Sequence, residues 1–174
     1  GEMASRLRRS GFLINNDDVY TSALSTAHFI AQQKPGAKCF VIGEEGLFRA
    51  LEDAGISLDD TAPDYVVVGE SIDYSFKEMA KGSRLVAAGA RFIGTNPDKT
   101  IPVDDGVNPA CGAACSLIET ATSVRPYFVG KPNPFMMRAA LDRMGVHAAD
   151  AIMIGDRLDT DVIAGMELGL RTGL

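Results

Sequence analysis

The stretch AIMIGDRLDTDVIAG, residues 151–165, combines a short apolar run, two spaced acids and the start of a helical pattern. The run AIMIG has the length of a buried strand and ends at a glycine. Asp156 and Asp161 follow it, and residues 160–168 then show helical apolar spacing that stops at Gly169. The stretch therefore predicts a strand, an acidic turn and a helix in direct succession.

The same alternation of strand-length apolar runs and helical patterns continues along the chain. Further strands are predicted at KCFVIG (38–43), DYVVVGE (64–70), RFIGT (91–95) and RPYFVG (125–130). Helices are predicted at about 22–33, 44–54 and 75–89, from Asn108-Pro109 onward, and from Asn133-Pro134 to Gly145. A polar loop, NPDKTIPVDDGV (96–107), separates the third of these strands from the next helix. This order predicts the α/β class, with a mainly parallel sheet covered by helices.

The carboxyl ends of parallel strands are the usual ligand-binding edge of such a sheet. Asp156 comes directly after one predicted strand, and Lys131 comes directly after another, in VGKP. Asp161 lies in the following turn or first helical turn, where the chain can fold back and bring the two carboxylates together. We therefore expect Lys131, Asp156 and Asp161 to share one site.

The residue types at this expected site suit phosphate chemistry. Paired carboxylates bind a hard cation such as Mg²⁺, which relieves their mutual repulsion and also accepts phosphate oxygens. A lysine supplies a compact positive charge, and phosphoryl transfer requires negative charge on the moving group to be neutralised. Spacing alone leaves a simpler alternative open, in which Asp161 only stabilises a helix N-terminus and Lys131 is a solvated side chain.

Composition limits the classes of partner. The chain has 174 residues and a formal net charge of −6, so nucleic acid polymers and anionic membranes are not expected partners. No apolar run approaches the roughly 20 residues of a membrane-spanning helix. The cysteines Cys39, Cys111 and Cys115 lack CxxC spacing, which favours a reduced, cytoplasmic setting. Cys111 and Cys115 lie one helical turn apart and are expected to pack in the core.

The string GDRLDTD (155–161), with VGKP (129–132) upstream, resembles the haloacid dehalogenase (HAD) superfamily of phosphatases, and in detail its NagD-type branch. The strings VYTSALSTAHFI, GARFIGTNPD, PACGAACSLIE and VGKPNPFMMRAAL are similar to that branch in the same order. The resemblance covers nearly the whole chain. It implies a Rossmann-like parallel-sheet core, partial in this chain, and a large inserted α/β cap. The core would comprise residues 1–19 and 125–174, and the cap residues 20–124.

The resemblance also implies three catalytic residues and one metal. Lys131 matches the lysine that contacts the substrate phosphate and steadies the nucleophile. Asp156 matches an Mg²⁺ ligand, and Asp161 matches the second acid of the same motif, which acts on the metal mostly through water or hydrogen bonds.

Substrate contacts are expected from three further residues. Arg157 and Asp159 lie between the two acids and are expected to support the metal ligands from behind, and Arg157 is also assigned to substrate binding. In the branch that the chain resembles, the loop after RFIGT helps to close the site and select substrates, so Asn96 and Asp98 are candidates to approach the leaving group. An ordinary polar turn is the alternative interpretation of this loop.

The chain departs from the family pattern at its first motif. That motif is DxD, and its first Asp is the nucleophile, but the early Asp residues here are only Asp17 and Asp18, in INNDDVY. The strand that ends in a phosphate-binding Ser or Thr is also not found. We therefore expect that the 174-residue chain does not hydrolyse phosphate esters by itself, and that an aspartyl-phosphate mechanism belongs to a parent protein.

The resulting functional prediction is a cytoplasmic, Mg²⁺-dependent phosphatase for small phosphate monoesters. Nucleoside monophosphates or 4-nitrophenyl phosphate are the first substrate candidates, and phosphoglycolate or pyridoxal phosphate are the alternatives. Some members of the family dimerise through their caps, so the resemblance is compatible with a homodimer formed in this way. A hypothesis from another class is a catalytically inert cap and core fragment that acts in ligand binding or dimerisation.

Overall fold

The computed structural model describes residues 2–174, so Gly1 of the predicted segment 1–19 lies outside the described residues. The helices are α1 (Glu2–Arg9), α2 (Ser22–Gln33), α3 (Glu45–Asp53), α4 (Phe76–Ala87), α5 (Cys111–Thr122), α6 (Pro134–Met144) and α7 (Ile163–Glu167). The strands are β1 (Lys38–Ile42), β2 (Ser57–Leu58), β3 (Tyr65–Val68), β4 (Arg91–Gly94), β5 (Thr100–Val103), β6 (Gly106–Pro109), β7 (Tyr127–Phe128), β8 (Ile152–Ile154) and β9 (Arg171–Gly173). The predicted α/β class is confirmed.

The main sheet has five parallel strands in the order β2-β1-β3-β4-β7. Its central strand, β3, is buried throughout because helices cover both faces. Successive side chains point to opposite faces, so Val67 packs in the cluster formed with α2 and α3. Val66 and Val68 pack on the other face, where α4 and α5 lie. All five strands end at one edge of this sheet.

Cys111 and Cys115 lie in the second of these clusters, as predicted from their spacing on a helix. Both are fully buried, and Cys111 donates a hydrogen bond from its Sγ to the carbonyl of Val68, 3.2 Å away. No cluster of three His, Cys, Asp or Glu side chains within residues 2–174 is arranged to hold a metal ion. No helix in the described part of the chain is both long and apolar enough to span a bilayer.

The prediction of a polar loop at residues 96–107 is wrong in part, because this segment contains most of an antiparallel hairpin of β5 and β6. Asn108 and Pro109 lie in β6, opposite Ile101 and Thr100, and do not start the following helix. Pro109 fits at this position because the hairpin is an isolated pair and an edge strand tolerates a missing N–H. Helix α5 begins two residues later, at Cys111.

The strand expected at residues 125–130 was assigned to the core, and in the structure it joins the five-stranded sheet. Its ordered part, Tyr127–Phe128, pairs with Ile93 and Gly94 at the edge of the five-stranded sheet. A side chain at Gly94 would stand 2.4 Å from the Phe128 ring, so the glycine provides the space that this ring occupies. The main sheet therefore extends beyond residue 124, where the cap was expected to end.

β8 and β9 form a separate two-stranded parallel sheet. The apolar run AIMIG was expected to be a buried strand, but Ile152 and Ile154 are exposed. Only one face of β8 is covered, where Met153 packs close to Gly165 of α7. The helix predicted at 160–168 begins earlier than expected, with a π-helical turn at Leu158–Val162 that leads into α7.

Candidate functional site

A tight turn after β8 folds Asp161 back against the end of that strand. A Cβ atom built on Gly155 would lie 2.3 Å from the Cβ of Asp161 and 2.4 Å from its carboxylate. Real atoms do not approach so closely, so this turn requires glycine at position 155. The π-helical turn completes the return and buries the Asp161 side chain.

Lys131 and Asp161, 30 residues apart, meet as predicted. The Lys131 Nζ donates to Asp161 Oδ1 at 2.5 Å, with side-chain exposures of 37% for the lysine and 4% for the acid. The other oxygen, Oδ2, accepts the backbone N–H of Arg157 at 3.2 Å. One oxygen of Asp161 therefore binds the distant Lys131, as the site prediction requires. The other oxygen binds the backbone at the start of the helical turn, as the helix-stabilising alternative requires.

Two opposing effects act on the pKa of Asp161. Burial raises this pKa, but the Lys131 ammonium and the backbone N–H groups of Arg157 and Asp156 outweigh it, and the net direction is downward. The carboxylate therefore stays ionised at neutral pH and keeps negative charge beside the lysine.

Asp156 is exposed at the end of β8, in the position expected of a metal ligand. No hydrogen bond or ion pair joins its side chain to another side chain in residues 3–174, and the residue is exposed to solvent. Mg²⁺ commonly takes one or two protein carboxylates and keeps several waters. An exposed carboxylate at Asp156, close in sequence to the occupied carboxylate of Asp161, is a donor set that fits this pattern.

Arg157, expected to bind substrate, is instead held by two carboxylates. It forms a fork with Asp159, with Nε to Oδ1 at 3.1 Å and Nη2 to Oδ2 at 2.7 Å, and its Nη1 pairs closely with Asp98 Oδ1. Hydrogen bonds to Asp159 and then to Asp98 raise the pKa of the guanidinium further. The structure therefore joins Arg157 and Asp98, which were predicted separately.

The loop that carries Asn96 and Asp98 is fixed by its own hydrogen bonds. Asn96 Oδ1 accepts the backbone N–H of Asp98 at 3.0 Å, which closes a local Asx turn. The backbone N–H of Gly112 in α5 donates to the carbonyl of Asp98 at 2.7 Å. A side chain at Gly112 would lie 2.3 Å from the Pro97 carbonyl oxygen, so the loop rests directly on the start of α5.

Glu70 belongs to this arrangement and was missed by sequence reasoning, which placed it inside a strand without a role. Its Oε2 accepts the backbone N–H of Cys111, the first residue of α5, at 3.3 Å, and the Nδ2 of Asn96 at 3.5 Å. A negative charge there stabilises the helix N-terminus. Its position directly after an apolar strand, like that of Asp156, was the signal that could have found it.

Two family models match opposite ends of the chain. The haloacid dehalogenase-like hydrolase model matches residues 1–57. The HAD-hydrolase-like model matches residues 128–174, which contain Lys131 and both acids.

Ribonucleotide monophosphatase NagD of Escherichia coli is 42% identical over 171 residues, which cover 98% of this chain and 67% of NagD. Its solved structure matches with a TM-score of 0.91 over the same share of each chain. The chain belongs to the NagD-type branch of the haloacid dehalogenase-like hydrolases. The resemblance inferred from GDRLDTD and VGKP is thereby confirmed.

Two other phosphatases are also similar to this chain. Dihydroxyacetone phosphatase of Corynebacterium glutamicum is 47% identical over 173 residues, which cover 99% of this chain and 63% of that protein. A glycerol phosphate phosphatase of Mycobacterium tuberculosis, solved in complex with calcium, is 34% identical with a TM-score of 0.93 over 98% of this chain and 52% of its own. The NagD-type chain thus spans about two thirds or less of the length of these relatives.

Proposed function

We propose that this chain supplies the phosphate-binding lysine and the metal-binding acids of a phosphatase for small phosphate monoesters. The carrying observation is the ion pair between Lys131 and the buried Asp161, next to the exposed carboxylate of Asp156. A cation and two carboxylates at one edge suit a dianionic phosphate together with a divalent ion. The phosphatase names of the relatives support the same reaction class.

Mg²⁺ is the metal that we propose for Asp156, with Asp161 acting through water or hydrogen bonds. A bound divalent ion would neutralise negative charge on the phosphoryl group. The residues of the chain itself orient that group. Lys131 offers ammonium N–H donors, and Asp161 holds the lysine in place through the 2.5 Å ion pair.

We propose that the cap comprises residues 20–124 and also includes β7, up to about residue 130. The pairing of β7 with β4 supports the longer boundary. With this boundary, Lys131 lies where the chain leaves the five-stranded sheet, between the cap and the segment that carries Asp156. The nucleophile of the proposed aspartyl-phosphate route is not assigned to any residue of this sequence.

Substrate choice is tested with a panel on the full-length protein, meaning this chain with whatever segments flank it in its gene. The panel contains nucleoside monophosphates, 4-nitrophenyl phosphate, phosphoglycolate, pyridoxal phosphate and dihydroxyacetone phosphate. We expect turnover of small monoesters and none of phosphodiesters. Absence of turnover with every monoester, in a folded protein that still binds Mg²⁺, would favour the inert binding module.

Metal binding gives a direct prediction for the two acids. In the full-length protein, Asp156→Asn is expected to weaken Mg²⁺ binding by at least about 100-fold, because a direct ligand loses its charge. Asp161→Asn is expected to weaken it by about 10- to 100-fold, as for an outer-shell group. Isothermal titration calorimetry measures both constants, and the Mg²⁺ dependence of turnover provides a second readout.

The matched control for this experiment is Asp142→Asn, which changes an exposed acid on α6. It should leave the Mg²⁺ dissociation constant unchanged. If Asp156→Asn retains the wild-type affinity and activity, the assignment of Asp156 to the metal is wrong.

A further inference from the structure

The strand pairing leaves two loops that belong to different sheets. The loop after β4 carries Asp98 and belongs to the five-stranded sheet, and the loop after β8 carries Arg157 and belongs to the two-stranded sheet. Among the ion pairs of the described chain, Asp98–Arg157 is the one that joins residues 22–130 to residues 151–174. No strand pairing joins the two loops, so their relative position depends on this contact together with the Lys131–Asp161 pair.

The guanidinium of Arg157 is poorly placed to bind a substrate phosphate. Three of its five N–H groups already donate to Asp159 and Asp98. The two carboxylates carry two negative charges against its single positive charge, so an incoming phosphate dianion meets a net negative group. The expected role in substrate binding does not follow from this environment.

Asp98 is supported from behind by a rigid element. Its carbonyl accepts the N–H of Gly112, and its own N–H is held by Asn96 Oδ1. α5 is a twelve-residue helix packed in the core, and its first N–H donates to Glu70. The Asp98 carboxylate is thus a fixed point to which Arg157 can be attached.

Arg157 is connected on its other side to both candidate metal-binding acids. Its backbone N–H donates to Asp161 Oδ2 at 3.2 Å, and it is the next residue after Asp156. A displacement of Arg157 therefore moves the hydrogen-bonded turn that presents both acids.

We propose that Arg157 is a positioning residue that is anchored by Asp98 and fixes the acidic turn against the cap loop, without contacting substrate. The Asp98–Arg157 pair sets the distance between two parts of the proposed site. One is the loop after β4, expected near the leaving group, and the other is the turn with Asp156 and Asp161, expected at the metal. This inference rests on the proposed phosphatase function for its kinetic consequence. The mechanical link between the loops does not depend on that function.

The mechanical link is tested in the 174-residue chain by hydrogen–deuterium exchange, with Asp98→Asn and Arg157→Gln. We expect faster exchange of the amides of Arg157 and Asp161 in both variants. Adding Asp98→Asn to Arg157→Gln should cause no further increase, because the Asp98–Arg157 contact is then already broken. The control is Asp60→Asn, which breaks the surface pair with Lys81 (2.5 Å) inside the main sheet region. Exchange in this turn that is unchanged by Asp98→Asn, or changed equally by Asp60→Asn, overturns the proposal.

The role of Arg157 is tested by kinetics of the full-length protein with 4-nitrophenyl phosphate. A positioning residue predicts that Asp98→Asn and Arg157→Gln each lower kcat about tenfold while KM changes by less than about twofold. Arg157→Lys should not restore kcat, since a lysine cannot bridge both carboxylates in this planar geometry. A large rise in KM at normal kcat would mean that Arg157 binds substrate and would overturn the proposal. If the wild-type protein shows no turnover, the proposed function fails, and the exchange experiment still decides the link.

Discussion

Replacing Gly155 with alanine is expected to lower the turnover of the full-length protein by at least about 100-fold. The new Cβ would stand 2.3 Å from the Cβ of Asp161 and 2.4 Å from its Cγ and Oδ2. Asp161 belongs to a tight π-helical turn and cannot yield by rotating a flexible chain end, so the turn itself must move. A displacement of about 1 Å at a reacting site can cost 100-fold in rate. The measurement is kcat/KM, together with the Mg²⁺ dissociation constant.

Gly173→Ala is the matched control for this substitution. Gly173 lies in β9 opposite Ile154, and its carbonyl accepts the N–H of Gly155 at 3.1 Å. An added Cβ there would meet only Ile154, at an ordinary 3.9 Å. We expect the control to keep wild-type activity and metal affinity. Equal losses in both variants would show general damage to the small sheet and would contradict the specific role of Gly155.

The parts of the fold that were predictable are those in which local pattern and tertiary environment agree. The run YVVVG is β-branched and apolar on both sides, and β3 is buried on both faces. Asn133 and Gly145 were read as the limits of a helix, and they cap α6, with Gly145 at a φ of 67°. In such segments the conformation favoured by the local sequence is also the one that buries the apolar side chains, so the local sequence is enough to predict the strand or helix.

The errors occur where long-range pairing decided the outcome. The local sequence does not indicate that Tyr127–Phe128 pairs with β4, because this pairing depends on the space left by Gly94. Asn108-Pro109 has the signature of a helix start, but pairing with Thr100 and Ile101 holds it in an extended strand. Strand partners lie far apart in sequence, so a single-sequence pattern does not contain this information.

Sequence reasoning selected residues for the candidate site but did not indicate most of the contacts that these residues make. Spacing and resemblance selected Lys131 and Asp161, and the structure brings them together. They did not indicate that Arg157 would be paired with Asp98, because the contact joins loops 59 residues apart. Residue roles at such contacts depend on which groups already occupy their donors, and only the folded chain shows this.

Lys131→Met is expected to lower turnover of the full-length protein by about 100- to 1,000-fold, because it removes a preorganised charge at the phosphate position. It also leaves Asp161 buried without its cation. Loss of one partner from a buried pair costs about 3–5 kcal/mol. The cost here should lie below that range, because Lys131 is 37% exposed and solvent screens its charge. Chemical denaturation of the 174-residue chain, with EDTA present, measures this loss of folding free energy separately from activity.

The pH dependence of this destabilisation has a defined sign. In the wild type, Lys131 helps to hold the folded-state pKa of Asp161 below its unfolded value, which stabilises the fold at neutral pH and is lost as pH falls through the folded pKa. Without the lysine, burial is opposed only by the backbone N–H donors, so the pKa rises and ionised Asp161 destabilises the variant. The stability gap between Lys131→Met and wild type should therefore narrow as the pH is lowered from 7 toward the carboxylate range.

Lys34→Met separates this effect from the loss of any lysine–aspartate pair. Lys34 contacts Asp64 at the same 2.5 Å, but its side chain is 54% exposed and Asp64 is 27% exposed. Exposed pairs contribute about 0–1 kcal/mol, so we expect a small change in stability and normal turnover. Lys34 is the main cause that lowers the pKa of Asp64, so this small change should also shrink as the pH falls. The two substitutions remove the same charge at the same distance and differ in the burial of the acid. If they have equal effects on both readouts, the buried Lys131–Asp161 pair is not the basis of the site.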